Sequence, residues 1–221
     1  SPLTSEDLMA LDAHCRARGI ELVPMLQSFG HMQNILSLDT YRHLAESDTH
    51  RWSLNPTDPA SVRFMDELYE EFLPCFSGNL INIGCDETFD LGAEDGKSRA
   101  AIQAKGKGRV YLDFVIQLHR LLTDKYGKRV MFWGDIVLHH PELIPDIPKD
   151  MIVLNWDYSA KDRFPQVDPF ADSGLEQIIC PSTNSYNGVF PRVDDSWANV
   201  AHFMRDGRAV GALGMLNTDW G

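Results

Sequence analysis

The chain has 221 residues, 43% of them hydrophobic, and carries 20 Lys and Arg against 32 Asp and Glu, a formal net charge of −12. That length and apolar content suffice for one domain with its own core, while so acidic a chain repels phosphate backbones and anionic lipid surfaces, so no nucleic acid partner is expected. No stretch approaches the roughly 20 continuous apolar residues of a membrane span, and Ser1-Pro2-Leu3-Thr4 lacks a basic-then-apolar leader, so no membrane association is expected either.

Thr4 is a helix N-cap with Asp7 at the third helical position, and Leu8, Leu11 and Cys15 follow at helical spacing until Gly19. Ile20 to Leu26 reads as a buried strand. Asp58-Pro59 opens a second helix whose apolar stripe is Val62, Met65, Leu68 and Phe72, and Leu80 to Gly84 reads as the next strand. Val110 to Lys125 places Tyr111, Val115, Leu118 and Leu122 on one helical face, ends near Gly127, and precedes a strand at Val130 to Trp133. Further strands are predicted at Met151 to Trp156, Gln177 to Cys180 and Gly211 to Leu216, the last after a helix from Ser196 to Arg205.

Short apolar strands alternating with amphipathic helices specify an α/β fold with a parallel sheet. Polar and aromatic residues decide its type, because they gather after every strand. Gln27 and His31 follow the first; Asp86 and Glu87 the second; Trp133 and Asp135 the third; Trp156 and Asp157 the fourth; Ser182 to Tyr186 the fifth; Asn217 to Trp220 the sixth. Function at the C-terminal ends of all strands marks a (β/α)8 TIM-barrel type rather than a single switch-point crevice. With about six strands of the eight such a barrel needs, the expectation is an incomplete barrel. One domain spans 1–221, and two βα units are expected to be missing at its N-terminus.

Cys15, Cys75, Cys85 and Cys180 sit in apolar patterns without a Cys-x-x-Cys pair and read as buried thiols. Asn55-Pro56-Thr57 is disqualified as a glycosylation site by its proline. Both features lean towards a reducing, cytoplasmic location.

Asn82-Ile83-Gly84-Cys85-Asp86-Glu87-Thr88 is an apolar strand ending in two adjacent carboxylates beside small residues. Alone, a solvated acidic pair at a loop entrance explains it. Trp133, Trp156, Tyr186 and Trp220 at other strand ends add rings suited to the C–H faces of a sugar. Over nearly its whole length the chain then resembles glycoside hydrolase family 20, the β-N-acetylhexosaminidases, in the branch of hexosaminidase D and bacterial N-acetylglucosaminidases. The family motif His-x-Gly-Gly-Asp-Glu is similar to Asn82 to Glu87, with Asn82 for the histidine and Cys85 for the second glycine. A motif ending in Pro-Gly-His resembles Phe29-Gly30-His31, with Gln27 at the usual acidic position, and Trp-x-Glu resembles Asn217-Thr218-Asp219.

The resemblance implies a retaining glycosidase with no carboxylate nucleophile, acting on terminal N-acetylglucosamine or N-acetylgalactosamine of a glycan through the substrate's own acetamido group. It implies Glu87 as general acid and base, and Asp86 as the residue that orients the acetamido N–H and stabilises the oxazolinium ion. It further implies Trp133 and Trp156 at the acetamido group, Tyr186 on its oxygen, and His31 and Asn82 behind the acidic pair. Asp135 and Asp219 are candidates for sugar hydroxyls, and Trp220 for the indole lost at Asn217. No cofactor is implied.

Gly92-Ala93-Glu94-Asp95-Gly96-Lys97-Ser98 looks like a phosphate-binding loop, but it is one residue short and places two acids where phosphate would sit. His43, His50 and His139-His140 lack ligand spacing, so no metal site is expected. Two other readings stand beside the hexosaminidase: a carbohydrate-binding or incomplete barrel without turnover, to be closed by a second copy of the chain, by another segment or by further residues, and a two-carboxylate glycosidase pairing Glu87 with Asp135 or Asp219.

Overall fold

Helix α1 (Ser5–Arg16) begins in the capping box that Thr4 and Asp7 predict: the Asp7 amide donates to Thr4 Oγ1 and the Thr4 amide to Asp7 Oδ2. The structure is a computed structural model and describes residues 3–183, 185–186 and 188–220. The chain divides into two compact units, Ser1–Met131 and Phe132–Gly221.

In the first unit α1 is followed by the short α2 (Gln33–Leu36), α3 (Pro59–Phe72), strand β1 (Leu80–Asn82), α4 (Arg99–Lys105) and α5 (Lys107–Tyr126), and then by the start of β2 (Arg129–Trp133). Asp58 caps α3 by accepting the Ala60 amide, with Pro59 in the first turn where its missing N–H costs nothing. β1 pairs in parallel with β2, Leu80 opposite Arg129 and Asn82 opposite Met131. The helical faces meet here: Tyr111, Val115, Leu118 and Leu122 of α5, Met65 and Tyr69 of α3, and Ile81 and Val130 of the strands are all fully buried. Phe29 joins them, 5.5 Å from the Tyr111 ring and 4.7 Å from Phe114.

Two expectations change in this unit. The strand expected at Ile20 to Leu26 is reduced to an isolated parallel bridge between Met25 and Asn82, although the Asn82 amide bonds Pro24 O and the Leu26 amide bonds Asn82 O. Ile20 is exposed, so the extended pairing starts only at Pro24. The apolar stripe of α1 is not core: Leu11 is 44% exposed, and the buried residue is Asp12, whose carboxylate accepts the Ser77 amide. Periodicity marks a face, not what covers it.

In the second unit the end of β2 leads into α6 (Asp135–Leu138), β3 (Ile152–Trp156), α7 (Val167–Asp172), β4 (Glu176–Cys180), α8 (Val193–Ala209) and β5 (Gly214–Met215). β3 and β4 run parallel from Ile152 opposite Glu176 to Trp156 opposite Cys180, and β4 pairs β5 through Ile178 and Gly214. A bridge from Ser182 to Thr218 extends that pairing past the strand ends. Phe203 of α8 stacks on Phe164 at 4.3 Å in a core with Val167 and Ile179. Two buried amide side chains are linked: Asn155 Nδ2 donates to Gln177 Oε1, and Gln177 Nε2 donates in turn to Val167 O. No helix among the described residues is long and apolar enough to cross a membrane.

Candidate active site

In the first unit the chain leaves β1 through a turn built on left-handed backbone. Asn82 Oδ1 accepts the Gly84 amide at 2.9 Å, after which Gly84 and Cys85 both lie at φ +68° and Glu87 at φ +49°. Glycine takes such a φ without penalty, whereas each L-residue there costs on the order of 1–2 kcal/mol. Cys85, fully buried, therefore sits where the family pattern has a glycine, and its strain is held by its surroundings. The Tyr111 hydroxyl donates to Cys85 O at 2.8 Å, and the Trp52 indole N–H donates to Glu87 O at 2.8 Å. Gly30 permits the close approach of the other wall, since a Cβ there would lie 2.3 Å from Asp86 O.

That turn presents the two carboxylates differently. Asp86 is held on both oxygens, Oδ1 by Gln27 Nε2 at 3.1 Å and Oδ2 by His31 Nε2 at 3.1 Å, and its side chain is 13% exposed. Glu87 is 51% exposed, with Oε2 3.4 Å from the same His31 nitrogen. His31 itself stands at φ +59° with its ring 4.4 Å from Trp52, which in turn packs on Phe89. Buried Asp90 ties this wall down by accepting the amides of Trp52 and Ser53.

The loop Gly92 to Ser98 aims its amides at a carboxyl group, that of the chain's own Glu46. The Glu46 carboxylate accepts the amides of Gly92 and Ser98 and the Ser98 hydroxyl, and burial pushes its carboxyl above the usual range.

The aromatic residues expected at strand ends form a connected row within the second unit. Trp133, buried, meets Trp220 edge-on at 6.1 Å; Trp220 donates its indole N–H to the Tyr158 hydroxyl at 2.8 Å. The Tyr158 ring lies 5.0 Å from Trp156 and 5.9 Å from Tyr186. Trp133 Nε1 is buried and has no hydrogen-bond partner among the described residues. Asp219 accepts the Ser185 hydroxyl at 2.7 Å, and Asp135 opens α6 half-buried. Burial works against the Asp157 charge, yet the hydrogen bonds of Lys161 and Ser159 outweigh it and hold the carboxyl below the usual range.

Thus His31, Asn82, Asp86 and Glu87 share the turn region of the first unit, and Trp133, Trp156, Tyr186 and Trp220 share the aromatic row of the second. Sequence reasoning missed Trp52, which lies in an irregular segment with no periodicity to mark it. It also missed Tyr158, although Trp156-Asp157 two residues earlier was a usable signal. Gln27 was noticed as a departure, but not as the residue that grips Asp86.

Parallel pairing of β1 with β2, of β3 with β4 and of β4 with β5, and candidate site residues in the loops after the strands, define an α/β protein of the (β/α)8-barrel type, incomplete in this chain. The chain belongs to glycosyl hydrolase family 20: the pattern "Glycosyl hydrolase family 20, catalytic domain" matches residues 2–205. It is 25% identical over 201 residues to hexosaminidase D of Bos taurus, covering 85% of this chain and 56% of that protein. To hexosaminidase D of Homo sapiens it is 25% identical over 150 residues, 64% of this chain and 30% of that protein. The solved chitobiase of Flavobacterium johnsoniae superposes with a TM-score of 0.71 at 22% identity, covering 98% of this chain and 34% of that one. The chain thus spans about half the length of the bovine relative and about a third of the human one.

Proposed function

We propose that this chain carries the catalytic residues of a retaining exo-β-N-acetylhexosaminidase that releases terminal N-acetylglucosamine or N-acetylgalactosamine by substrate assistance. The observation that carries this reading is the unequal holding of two adjacent carboxylates, Asp86 fixed on both oxygens and Glu87 half-exposed. In the first step the acetamido oxygen attacks C1 and the bond from C1 to the leaving oxygen breaks, while Glu87 gives that oxygen its proton. Asp86 accepts the acetamido N–H and stabilises the positive charge of the oxazolinium ion, a task that favours a group already oriented before reaction. Water then attacks C1, passes a proton to Glu87, and the acetamido group re-forms with retained configuration.

For the second unit the proposal follows the family resemblance: Trp133 and Trp156 contact the acetamido group, Tyr186 donates to its oxygen, and Asp135, Asp219 and Trp220 serve the hydroxyls and faces of the sugar. Gln27 and Asn82 support rather than react.

Release of nitrophenol from the nitrophenyl β-N-acetylglucosaminide tests the reading. Glu87→Gln lowers kcat/KM by about 10²-fold or more, and unchanged turnover overturns the assignment. Asp86→Asn weakens a thiazoline mimic of the oxazolinium ion more than it weakens N-acetylglucosamine itself. Hydrolysis of substrates lacking the acetamido group would favour the two-carboxylate mechanism instead.

A further inference from the structure

His31 Nε2, Asp86 Oδ2 and Glu87 Oε2 come from two separate loops and lie within 4.8 Å of one another. From these three atoms we infer a binding site for Zn²⁺ or a similar borderline divalent transition ion, which no cofactor requirement of the proposed reaction calls for. An ion bonded to nitrogen and oxygen at about 2.0–2.2 Å holds neighbouring ligand atoms roughly 3.0–3.5 Å apart, for octahedral or tetrahedral angles. The two edges through the imidazole, 3.1 Å to Asp86 and 3.4 Å to Glu87, already have that length. The third edge closes by movement of Glu87, whose side chain is half-exposed and reaches solvent.

The donor set decides the ion. One imidazole with two carboxylates suits Zn²⁺, and also Cu²⁺ or Ni²⁺, whereas Mg²⁺ and Ca²⁺ prefer oxygen alone. Support behind the ligands is present as well: Gln27 Nε2 holds Asp86 Oδ1, while the ion replaces the hydrogen bond between Asp86 Oδ2 and His31 Nε2 and binds the imidazole through its unprotonated nitrogen. Trp52 packs against the His31 ring and limits its rotation. The bound ion occupies both carboxylates at once, so Zn²⁺ inhibits turnover in competition with substrate. This last consequence, unlike the binding, rests on the proposed function.

Titration calorimetry with zinc chloride and, separately, magnesium chloride tests the site on the unmodified chain. The expected result is one Zn²⁺ per chain, with Mg²⁺ at least about 10²-fold weaker, since its hydration shell resists replacement by imidazole. Glu87→Gln and His31→Ala each weaken Zn²⁺ by more than the roughly 10-fold expected for Gln27→Ala behind the ligands. Control variants His139→Ala/His140→Ala and Cys15→Ser leave it unchanged. Far-UV circular dichroism verifies the fold of each variant, and Glu87→Gln, altered at a half-exposed side chain, keeps the test decisive if His31→Ala does not fold. Absence of Zn²⁺ uptake at about 1 mM, or uptake indifferent to Glu87→Gln, overturns the inference. Absent turnover with intact Zn²⁺ binding overturns the proposed function alone, and intact turnover with no Zn²⁺ binding overturns the metal site alone.

Discussion

The two units hold their candidate site residues by different means. In the first, charge is positioned by hydrogen bonds on a strained turn: Asp86 between Gln27 and His31, Glu87 fixed through its backbone by Trp52, and three residues of the turn at positive φ. In the second, rings are positioned by one another, from Trp133 through Trp220 and Tyr158 to Trp156 and Tyr186, with the Trp220 indole N–H donating to the Tyr158 hydroxyl. A carboxylate stabilises a developing charge only if its direction is set beforehand, whereas a ring covers a sugar face through contact area and tolerates small shifts. Under the proposed hexosaminidase reading, changes in the first unit should therefore appear in kcat, and changes in the second mainly in KM.

The largest test of that contrast is Gly30→Ala, which drives a methyl group into the Asp86 backbone. It should cost about 2 kcal/mol of stability, in the range of over-packed sites, and reduce kcat even where the chain remains folded; a silent substitution would mean that the turn relaxes freely. Next comes Trp52→Phe, which keeps the ring beside His31 but deletes the donor to Glu87 O. A loss of about 1 kcal/mol in chemical denaturation is expected, with kcat lowered and KM little moved. Tyr158→Phe provides the counterpart in the second unit, removing the acceptor of the Trp220 indole. It should raise KM by a few fold at nearly constant kcat, and a pure kcat effect would break the division of labour between the units.

The smallest effect concerns Asp95, in the loop whose backbone holds Glu46. The Ser47 hydroxyl and then the Thr49 amide hold the Asp95 carboxyl down at about 2, against an ordinary value of 3.8. A lowered native value means that the folded chain favours the ionised form. Its stabilising contribution is present above the ordinary value and is lost as pH falls through about 2. Thermal melts of Asp95→Asn should accordingly lie below those of the unmodified chain near neutral pH and converge with them at the acid end.

Much of the architecture was legible because it is local. The α5 stripe of Tyr111, Val115, Leu118 and Leu122 repeats at helical spacing and is fully buried, and the strands β2, β3 and β4 fall on the apolar runs that predicted them. The α1 stripe obeyed the same spacing and failed as a core prediction, since its apolar face finds no full cover among the described residues. Within the site, Asp86 and Glu87 were legible by resemblance, while the cost of Cys85 in a left-handed turn was not. A substitution of cysteine for glycine reads as a change of size, and only φ reveals it as a change of backbone energy. The Gly92 to Ser98 loop was not legible: its short spacing and two acids argued against an anion site, and nothing local named the Glu46 carboxyl as the group its amides hold.

By itself, then, the amino-acid sequence determined the four longer helices α1, α3, α5 and α8, the strands β1 to β4, the Thr4 and Asp58 caps and the presence of an acidic pair after a strand, all of which depend on neighbours a few residues away. Tertiary structure alone decided which side chains grip that pair. The bonds from His31 and Gln27 to Asp86 join residues 55 and 59 positions apart, and the bond from Trp52 to Glu87 spans 35. No periodicity encodes a hydrogen bond across such separations; it exists only once parallel pairing brings the segment after Pro24 beside β1 and so sets Asp86 within reach of His31.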